Sequence, residues 1–461
     1  MKSFLKIVFL SFIVYFLSWF VVFKLGINTL GIQSEDTLPA VFLPVSIIKN
    51  HSLYLDDYYD MVIKAYPHPD DKSYLKGLVP FYFRKVGGHY VSAFPVVTPL
   101  LVLPIYFLPV LLGMKITWFN LIFLSHISSS LIMAFAGGFI YLLLKKRFLL
   151  SETKSLLLII VYLFGTVNFA MISQALWQHG TMQLFIILGL YFLFGYLDNG
   201  EKSKDIFLSG LFFGLAVLSR PTAALIWCSV FLILYFRKDK NFKKLLKPSM
   251  FMFLGLLLNF LFFAWYNEVF YVSICNQGYS SQLLNSWLSP FPEGFLGVWF
   301  SPSKGILVYS PVFLFAFVGL YLALKKNFKK NFHYLIFGLI ILLHTLVVGL
   351  WKHWYGGWSY GYRMSSDIIP FLVLLLVPFI ESNLFRKYKK YFYGTLIFSI
   401  LVQVFGIIFF DGIWHAAYDL GFEKTSWLWS IKDSELLFNI RRILVKVGLL
   451  YQACPKCLPM Y

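Results

Sequence analysis

The sequence predicts an all-α, polytopic membrane protein, one bundle of about eleven transmembrane passes, and three observations carry that prediction. Of its 461 residues, 59% are hydrophobic and 20% aromatic, whereas only 13% are charged. A water-soluble domain is nearer one half apolar and one quarter charged, so a soluble globular enzyme is excluded. Apolar stretches of roughly 17 to 28 residues, the length a bilayer crossing needs, recur along the chain. The basic residues lie in short clusters between those stretches rather than on one soluble face. The net charge of +19 therefore marks membrane orientation and not a nucleic-acid partner.

The long stretches run at 4–26, 117–144, 155–172, 179–197, 249–266, 305–324, 333–350, 364–380 and 391–410, with shorter ones at 206–218 and 222–236. Lys and Arg number 2 at the N-terminus, 4 in 145–154, 2 in 198–205, 6 in 237–247, 4 in 325–330 and 4 in 386–390, so 22 of the 40 fall in six short segments. The positive-inside rule puts all six in the cytoplasm, with the N-terminus inside and the C-terminus outside. The first apolar run, Phe4 to Ile27, is long enough to span and lacks a small-residue cleavage site, so no cleavable signal peptide is expected.

Ser92 to Gly113 is apolar enough to cross, but a crossing there would put Lys145, Lys146 and Arg147 outside and invert every later loop. Pro95, Pro99, Pro104 and Pro109 would each disrupt an ordinary helix interior at a cost of roughly 3 kcal/mol. The segment is expected at the outer interface. The arms 206–218 and 222–236 hold 13 and 15 residues. At about 1.5 Å per residue they fall short of a hydrocarbon core of roughly 30 Å. Arg220-Pro221 between them should then sit below the outer surface, where an arginine needs a watery cavity or an anionic partner.

Three outer segments are large enough to build a site. Residues 27–91 contain Glu35, Asp36, Asp56, Asp57, Asp60, Asp70 and Asp71, seven of the chain's 21 acids, with His51, His68 and His89. Residues 267–304 are polar and aromatic. The tail from Asp411 carries Leu436, Leu437, Ile440, Ile443, Leu444 and Val447 at helical spacing, which predicts an amphipathic helix on the outer leaflet with Arg441, Arg442 and Lys446 towards headgroups. No internal repeat or low-complexity linker interrupts the chain. Residues 1–410 are expected to form one membrane domain, with 27–116 as its first outer loop, and 411–461 a separate outer-face tail.

Glu35-Asp36 has two readings. A carboxylate held against the membrane there can act as a general base on an acceptor attacking a sugar carbon. Ser34, Glu35 and Asp36 before an apolar helix are also good first-turn residues, and helix caps are much commoner than catalytic acids. Arg220, Lys304 and Arg363 come from three separate outer turns, each beside Gly or Pro, and converging they would suit a phosphate. Snorkelling at the interface is the alternative for each, and the depth expected for Arg220 argues against it there.

The turns Trp177-Gln178-His179-Gly180 and Trp351 to Arg363 are rich in Trp, Tyr, His and Gly. Aromatic rings stack on sugars and His hydrogen-bonds hydroxyls, although an interfacial aromatic belt accounts for the same rings. His179 and His353 share no spacing with a carboxylate that would make a tight metal site. Cys454 and Cys457 form a lone CxxC, for which a local disulfide or free thiols fit better than zinc.

The acidic loop after the first helix, the Pro-rich surface segment and the basic residues of later turns together resemble the C-type (GT-C) glycosyltransferases, which include the protein O-mannosyltransferases and lipid A aminoarabinose transferases. Ser34 to Tyr58 (SEDTLPAVFLPVSIIKNHSLYLDDY) is similar to the bacterial pattern of an acidic pair, an apolar helix and a turn. Ala93 to Pro109 (AFPVVTPLLVLPIYFLP) resembles the family's Pro-rich segment, with Phe94-Pro95-Val96 in place of the usual double proline and glycine. Phe300 to Pro311 (FSPSKGILVYSP) and Trp358 to Pro370 (WSYGYRMSSDIIP) resemble two further motifs, and the latter carries over Arg363 as a phosphate contact.

The resemblance implies a GT-C-like bundle with outer juxtamembrane helices, an inner (plasma) membrane location and an outward-facing site. There a hexose or pentose passes from a polyprenyl-phosphate donor to an acceptor glycan, lipid or protein. Asp36 is the first choice for the catalytic carboxylate, with Glu35 beside it. Arg220, Lys304 and Arg363 would bind the donor phosphate. Asp56, Asp57, His179, Trp354, Trp358 and Tyr360 would line the sugar or acceptor pocket. No metal ligand set is expected, although a divalent cation remains open as a cofactor. The partners are membrane lipids, donor and acceptor, and no nucleic acid. No Walker or GxGxxG loop calls for a soluble nucleotide. An O-antigen ligase or polymerase and a lipid-linked-saccharide flippase are the alternatives. A flippase should show midplane charges on several helices and often repeated halves.

Overall fold

A computed structural model describes residues 2–66, 79–198, 200–237, 240–274, 278, 287, 289–419 and 424–450. His68, Asp70, Asp71, Cys454 and Cys457, named above, lie outside them. Among the described residues, seven helices are long and apolar enough to cross a membrane: Lys2–Lys24, Trp118–Lys146, Gln178–Asp198, Phe242–Tyr271, Phe328–Leu350, Arg363–Ile380 and Asn383–Phe409. The protein is an all-α, multi-pass integral membrane protein.

The remaining four expected passes are short or interrupted helices. Glu152–Phe164 stops at Gly165 and gives way to a π-turn, Asn168–Ile172. Ser203–Ser219 and Ala224–Arg237 flank Arg220 and a short 3-10 turn, and Leu314–Lys326 follows a break at Ser310-Pro311. Around the break at Gly165, polar groups find partners inside the bundle, as a lipid environment demands. Asn168 donates to the Tyr162 carbonyl and exchanges hydrogen bonds with Gln183, while Ser310 Oγ donates to the Gly165 carbonyl at 2.8 Å.

Local signals set the helix ends. Thr117, Ser151 and Asn327 side chains accept from backbone amides at the starts of their helices, and Lys145-Lys146, Arg237 and Lys325-Lys326 occupy last turns, where the helix dipole favours cations. The helices Ser203–Ser219 and Leu246–Tyr271 lie against each other through small residues. A Cβ on Gly210 would stand 2.1 Å from the Met252 carbonyl oxygen, and one on Gly255 would stand 2.3 Å from that of Phe207. Backbones this close are typical of membrane helices packed through glycine.

The segment after the first helix holds a 3-10 turn at Glu35–Thr37, helices Leu38–Asn50 and Asp56–Ala65, and a two-stranded antiparallel hairpin, Phe83–Val86 with His89–Ser92. The hairpin is the one departure from all-α structure among the described residues. Gly87 and Gly88, both at positive φ, supply the two-residue turn. The Pro-rich segment forms a helix, Val97–Leu111, with Pro104 and Pro109 inside it. Its 15 residues span about 22 Å, too short to cross, and Phe107, Leu108, Leu111 and Leu112 are exposed at its end.

The tail helix forms at Glu435–Lys446, as its periodicity predicts. Leu437, Ile440 and Val447 are exposed, but its first residue, Glu435, is buried in the body of the protein. Arg441 and Arg442 differ from the expectation of headgroup contact, because they bond Asp433 and Asp411 within the tail.

Candidate active site

Two ionic clusters gather around the turn Tyr362–Ile368, and an apolar cavity has Pro221, next in sequence to Arg220 of the second cluster, in its wall. The first cluster contains Asp36. Ser34 Oγ accepts from the Asp36 amide, so the cap is formed by serine, and the Asp36 carboxylate is left for other work. Arg363 Nη1 donates to Asp36 Oδ2 at 3.0 Å. Asp36 Oδ1 has no hydrogen-bond partner among the described residues, and the side chain is 29% exposed. The cap expected of Ser34-Glu35-Asp36 is thus formed by Ser34, and the Asp36 carboxylate pairs with Arg363.

Arg363 is fixed from several sides. Nη2 donates to the Gly356 carbonyl, and the guanidinium lies over the Trp177 ring, 4.1 Å from its centre. Trp177 Nε1 donates to Gln33 Oε1 at 3.0 Å, and Gln33 in turn donates to the Ala170 carbonyl of the π-turn. The chain therefore closes a ring from Gln33 through Trp177 and Arg363 back to Asp36. A guanidinium so held keeps its orientation without depending on its carboxylate.

Four residues on, Asp367 is wholly buried and ties the same turn to three other elements. Its Oδ2 accepts from Arg220 Nε at 3.0 Å and from Thr222 Oγ1 at 3.3 Å, and lies 3.3 Å from His344 Nε2. Its Oδ1 is 2.7 Å from His179 Nδ1. Arg220 is largely buried and has the anionic partner that a buried guanidinium requires. Sequence reasoning missed Asp367 and His344. The available signal was an acid and a histidine inside apolar, membrane-length segments.

Lys304 joins neither the Arg363–Asp36 pair nor the Arg220–Asp367 cluster. Its ammonium is buried, donates to the Ser359 carbonyl, and lies 3.1 Å from His415 Nε2 and 3.9 Å from Glu435 Oε2. Burial pushes Lys304 down to about 8, partly offset by Glu435, and pushes the Glu435 carboxyl up to about 7. Burial, then the charge of Lys304, holds His415 well below the usual imidazole range. These three groups bind the tail to the body and reach Arg363 only through its field.

The expected sugar-pocket residues are dispersed. Tyr360 is a packing residue: it is wholly buried, its hydroxyl donates to the Val402 carbonyl at 2.6 Å, and its ring lies over Gly406. Trp354 is likewise buried, against Gly297 and Trp429. Interfacial composition cannot distinguish a ring turned inwards from one lining a cleft. Trp358 is 41% exposed and stacks on His415. Asp56 bonds His89 and the Tyr90 amide, and Asp57 accepts from Asn50, both within the segment between the first helix and the Pro-rich helix. Of this set, His179 alone touches the Arg220–Asp367 cluster. Glu35, next to Asp36, acts electrostatically on Tyr66, whose hydroxyl is raised by burial and then by that carboxylate.

An apolar cavity of about 590 Å³ lies beside Arg220. It runs between the Ala93–Val97 turn, the helix Ser203–Ser219 and the phenylalanine-rich face of the helix Leu246–Tyr271, and Pro221 forms part of its wall. A hydrocarbon chain fits such a lining, and Arg220 precedes Pro221 of its wall in the chain. Among the described residues, no group of three His, Cys, Asp or Glu side chains is placed to hold a metal ion.

Residues 102–266 match the family described as dolichyl-phosphate-mannose-protein mannosyltransferase. The match covers the segment that carries His179, Arg220 and most of the cavity wall, and it supports a membrane glycosyltransferase of the GT-C type that uses a polyprenyl-phosphate sugar donor. No individual curated protein matches the chain.

Proposed function

We propose that the protein transfers one sugar from a polyprenyl-phosphate donor to a lipid, glycan or protein acceptor on the extracytoplasmic face, with the N-terminus in the cytoplasm. Residues 1–410 would form the transferase and 411–461 the outer tail. The observation that carries this reading is the Asp36–Arg363 pair, in which a carboxylate with one oxygen open stands 3.0 Å from a guanidinium held independently by Trp177 and Gly356.

The apolar cavity takes part of the isoprenoid chain, and Arg220 and Arg363 bind the phosphate. The acceptor hydroxyl or amine attacks the anomeric carbon, and the bond from that carbon to the phosphate oxygen breaks. Its electron pair stays on the leaving polyprenyl phosphate, where the two guanidiniums stabilise the charge. The acceptor's proton passes to Asp36 Oδ1. His179, held at Asp367, hydrogen-bonds a sugar or acceptor hydroxyl.

The test is transfer from a radiolabelled polyprenyl-phosphate sugar in proteoliposomes. Wild type should transfer, and Asp36→Asn should lose about 100- to 10,000-fold in rate, the usual contribution of a general base. Full transfer by Asp36→Asn removes Asp36 from the mechanism. No transfer by wild type with any such donor favours a flippase.

A further inference from the structure

We propose that Asp367 is a positioning residue that aims Arg220 at the donor phosphate and His179 at the neighbouring hydroxyl. This rests on the reading of Arg220 as a phosphate ligand given above. Arg220 sits in extended backbone (φ −152°, ψ 125°) between a helix end and Pro221, so no regular structure fixes its side chain. Asp367 supplies that constraint through Nε. No hydrogen bond within the described residues involves Nη1 or Nη2, and the side chain is 12% exposed. A guanidinium held by its Nε edge presents its two Nη groups as a fork, the geometry that meets a phosphate bidentately.

The same carboxylate orders His179. With Asp367 Oδ1 2.7 Å from Nδ1, the proton belongs on Nδ1 and the lone pair on Nε2. Nε2 has no partner among the described residues. One carboxylate thus leaves free the nitrogen atoms that a phosphoglycoside needs, and Thr222 and His344 brace the oxygen that holds Arg220. A carboxylate buried in a helix bundle is costly even when paired, which argues for a task beyond packing. Asp367 also belongs to the turn Arg363–Ile368, so a single turn sets the spacing of both guanidiniums, one directly and one through a hydrogen bond.

The experiment compares binding of undecaprenyl phosphate and undecaprenol to the purified full chain in nanodiscs, and the ratio of affinities reads the phosphate preference. Asp367→Asn should reduce the preference about tenfold, the effect of loosening one charge-assisted contact, while undecaprenol affinity stays near wild type. Arg220→Gln should reduce it as much or more, and the double variant should be no worse than Arg220→Gln alone, because Asp367 acts through Arg220. An unchanged preference in Asp367→Asn, or additive losses in the double variant, overturns the proposal while leaving Arg220 as a ligand. A wild type without phosphate preference overturns the underlying reading and this one with it. If Asp367→Asn does not fold, Thr222→Val serves instead. It should give a smaller loss that disappears in the Arg220→Gln background, and no loss at all overturns the proposal.

Discussion

Lys304 and Glu435 meet inside the protein, ammonium to carboxylate at 3.9 Å with both side chains almost fully buried, although one precedes a membrane helix and the other begins the tail helix. Tyr309 donates to the same Glu435 oxygen at 3.3 Å, and His415 lies on the other side of the ammonium. The tail is thereby docked to the body through a buried polar cluster.

The pH dependence of that docking follows from three groups. Glu435 is raised from 4.5 to about 7, so the docked state holds an extra proton in that window and its contribution is lost as pH rises through it. His415, pushed well below 6.5, has the opposite slope up to 6.5, and the two offset each other over most of the acidic range. Lys304, lowered from 10.5 to about 8, has shed its proton in the docked state while the released state keeps it, so docking strengthens between those values. Protection of the tail against limited proteolysis should change little from pH 5 to 7 and increase from pH 8 to 10. Protection that falls above pH 8 would contradict this assignment.

Ser34→Ala should separate the cap from the carboxylate. It removes the hydroxyl that accepts from the Asp36 amide, and a lost cap costs about 1 kcal/mol of stability. The thermal midpoint should fall by about one degree while sugar transfer at permissive temperature remains within about twofold of wild type. A loss of transfer as large as that of Asp36→Asn would mean that the two residues act together.

Trp177→Leu removes the ring beneath Arg363 and the donor to Gln33. A cation–π contact of about 0.5–2 kcal/mol predicts a rise of roughly 2- to 30-fold in KM for the donor. Trp177→Phe keeps a ring but not the indole donor and should lie between. Equal KM values for wild type and both variants would mean that Arg363 holds its position without Trp177.

Gly210→Val should separate the helices Ser203–Ser219 and Leu246–Tyr271, because its Cβ would collide with a backbone oxygen that cannot turn aside. Overpacking of this kind costs about 1–3 kcal/mol, and these helices form two walls of the apolar cavity. The variant should melt earlier in detergent and bind undecaprenol less well. Unchanged binding would place the hydrocarbon chain elsewhere.

The membrane bundle was legible because the bilayer imposes a length and a polarity on every crossing, and those survive in sequence as apolar runs and basic loops. The need of Arg220 for an anionic partner was legible from the two short arms that flank it, and Asp367 is that partner. Asp367 was readable as an acid inside the segment 364–380, but its four partners come from elements distant in sequence, and no spacing encodes them. Gly87-Gly88 between Arg84-Lys85-Val86 and His89-Tyr90-Val91 is a hairpin signal that the overall helical composition masked. Tyr360 and Trp354 went to the core and Lys304 went to the tail for one reason: side-chain direction is decided by packing partners that composition does not name.

The docking of Glu435 beside Lys304 also orders assembly in time. His415 and Glu435 follow the seven long apolar helices in the chain, so a ribosome delivers them only after those helices have emerged. Until then Lys304 keeps its full hydration or borrows another anion, and nascent chains stopped before Glu435 should leave it open to acylating reagents that cannot reach it in the finished protein.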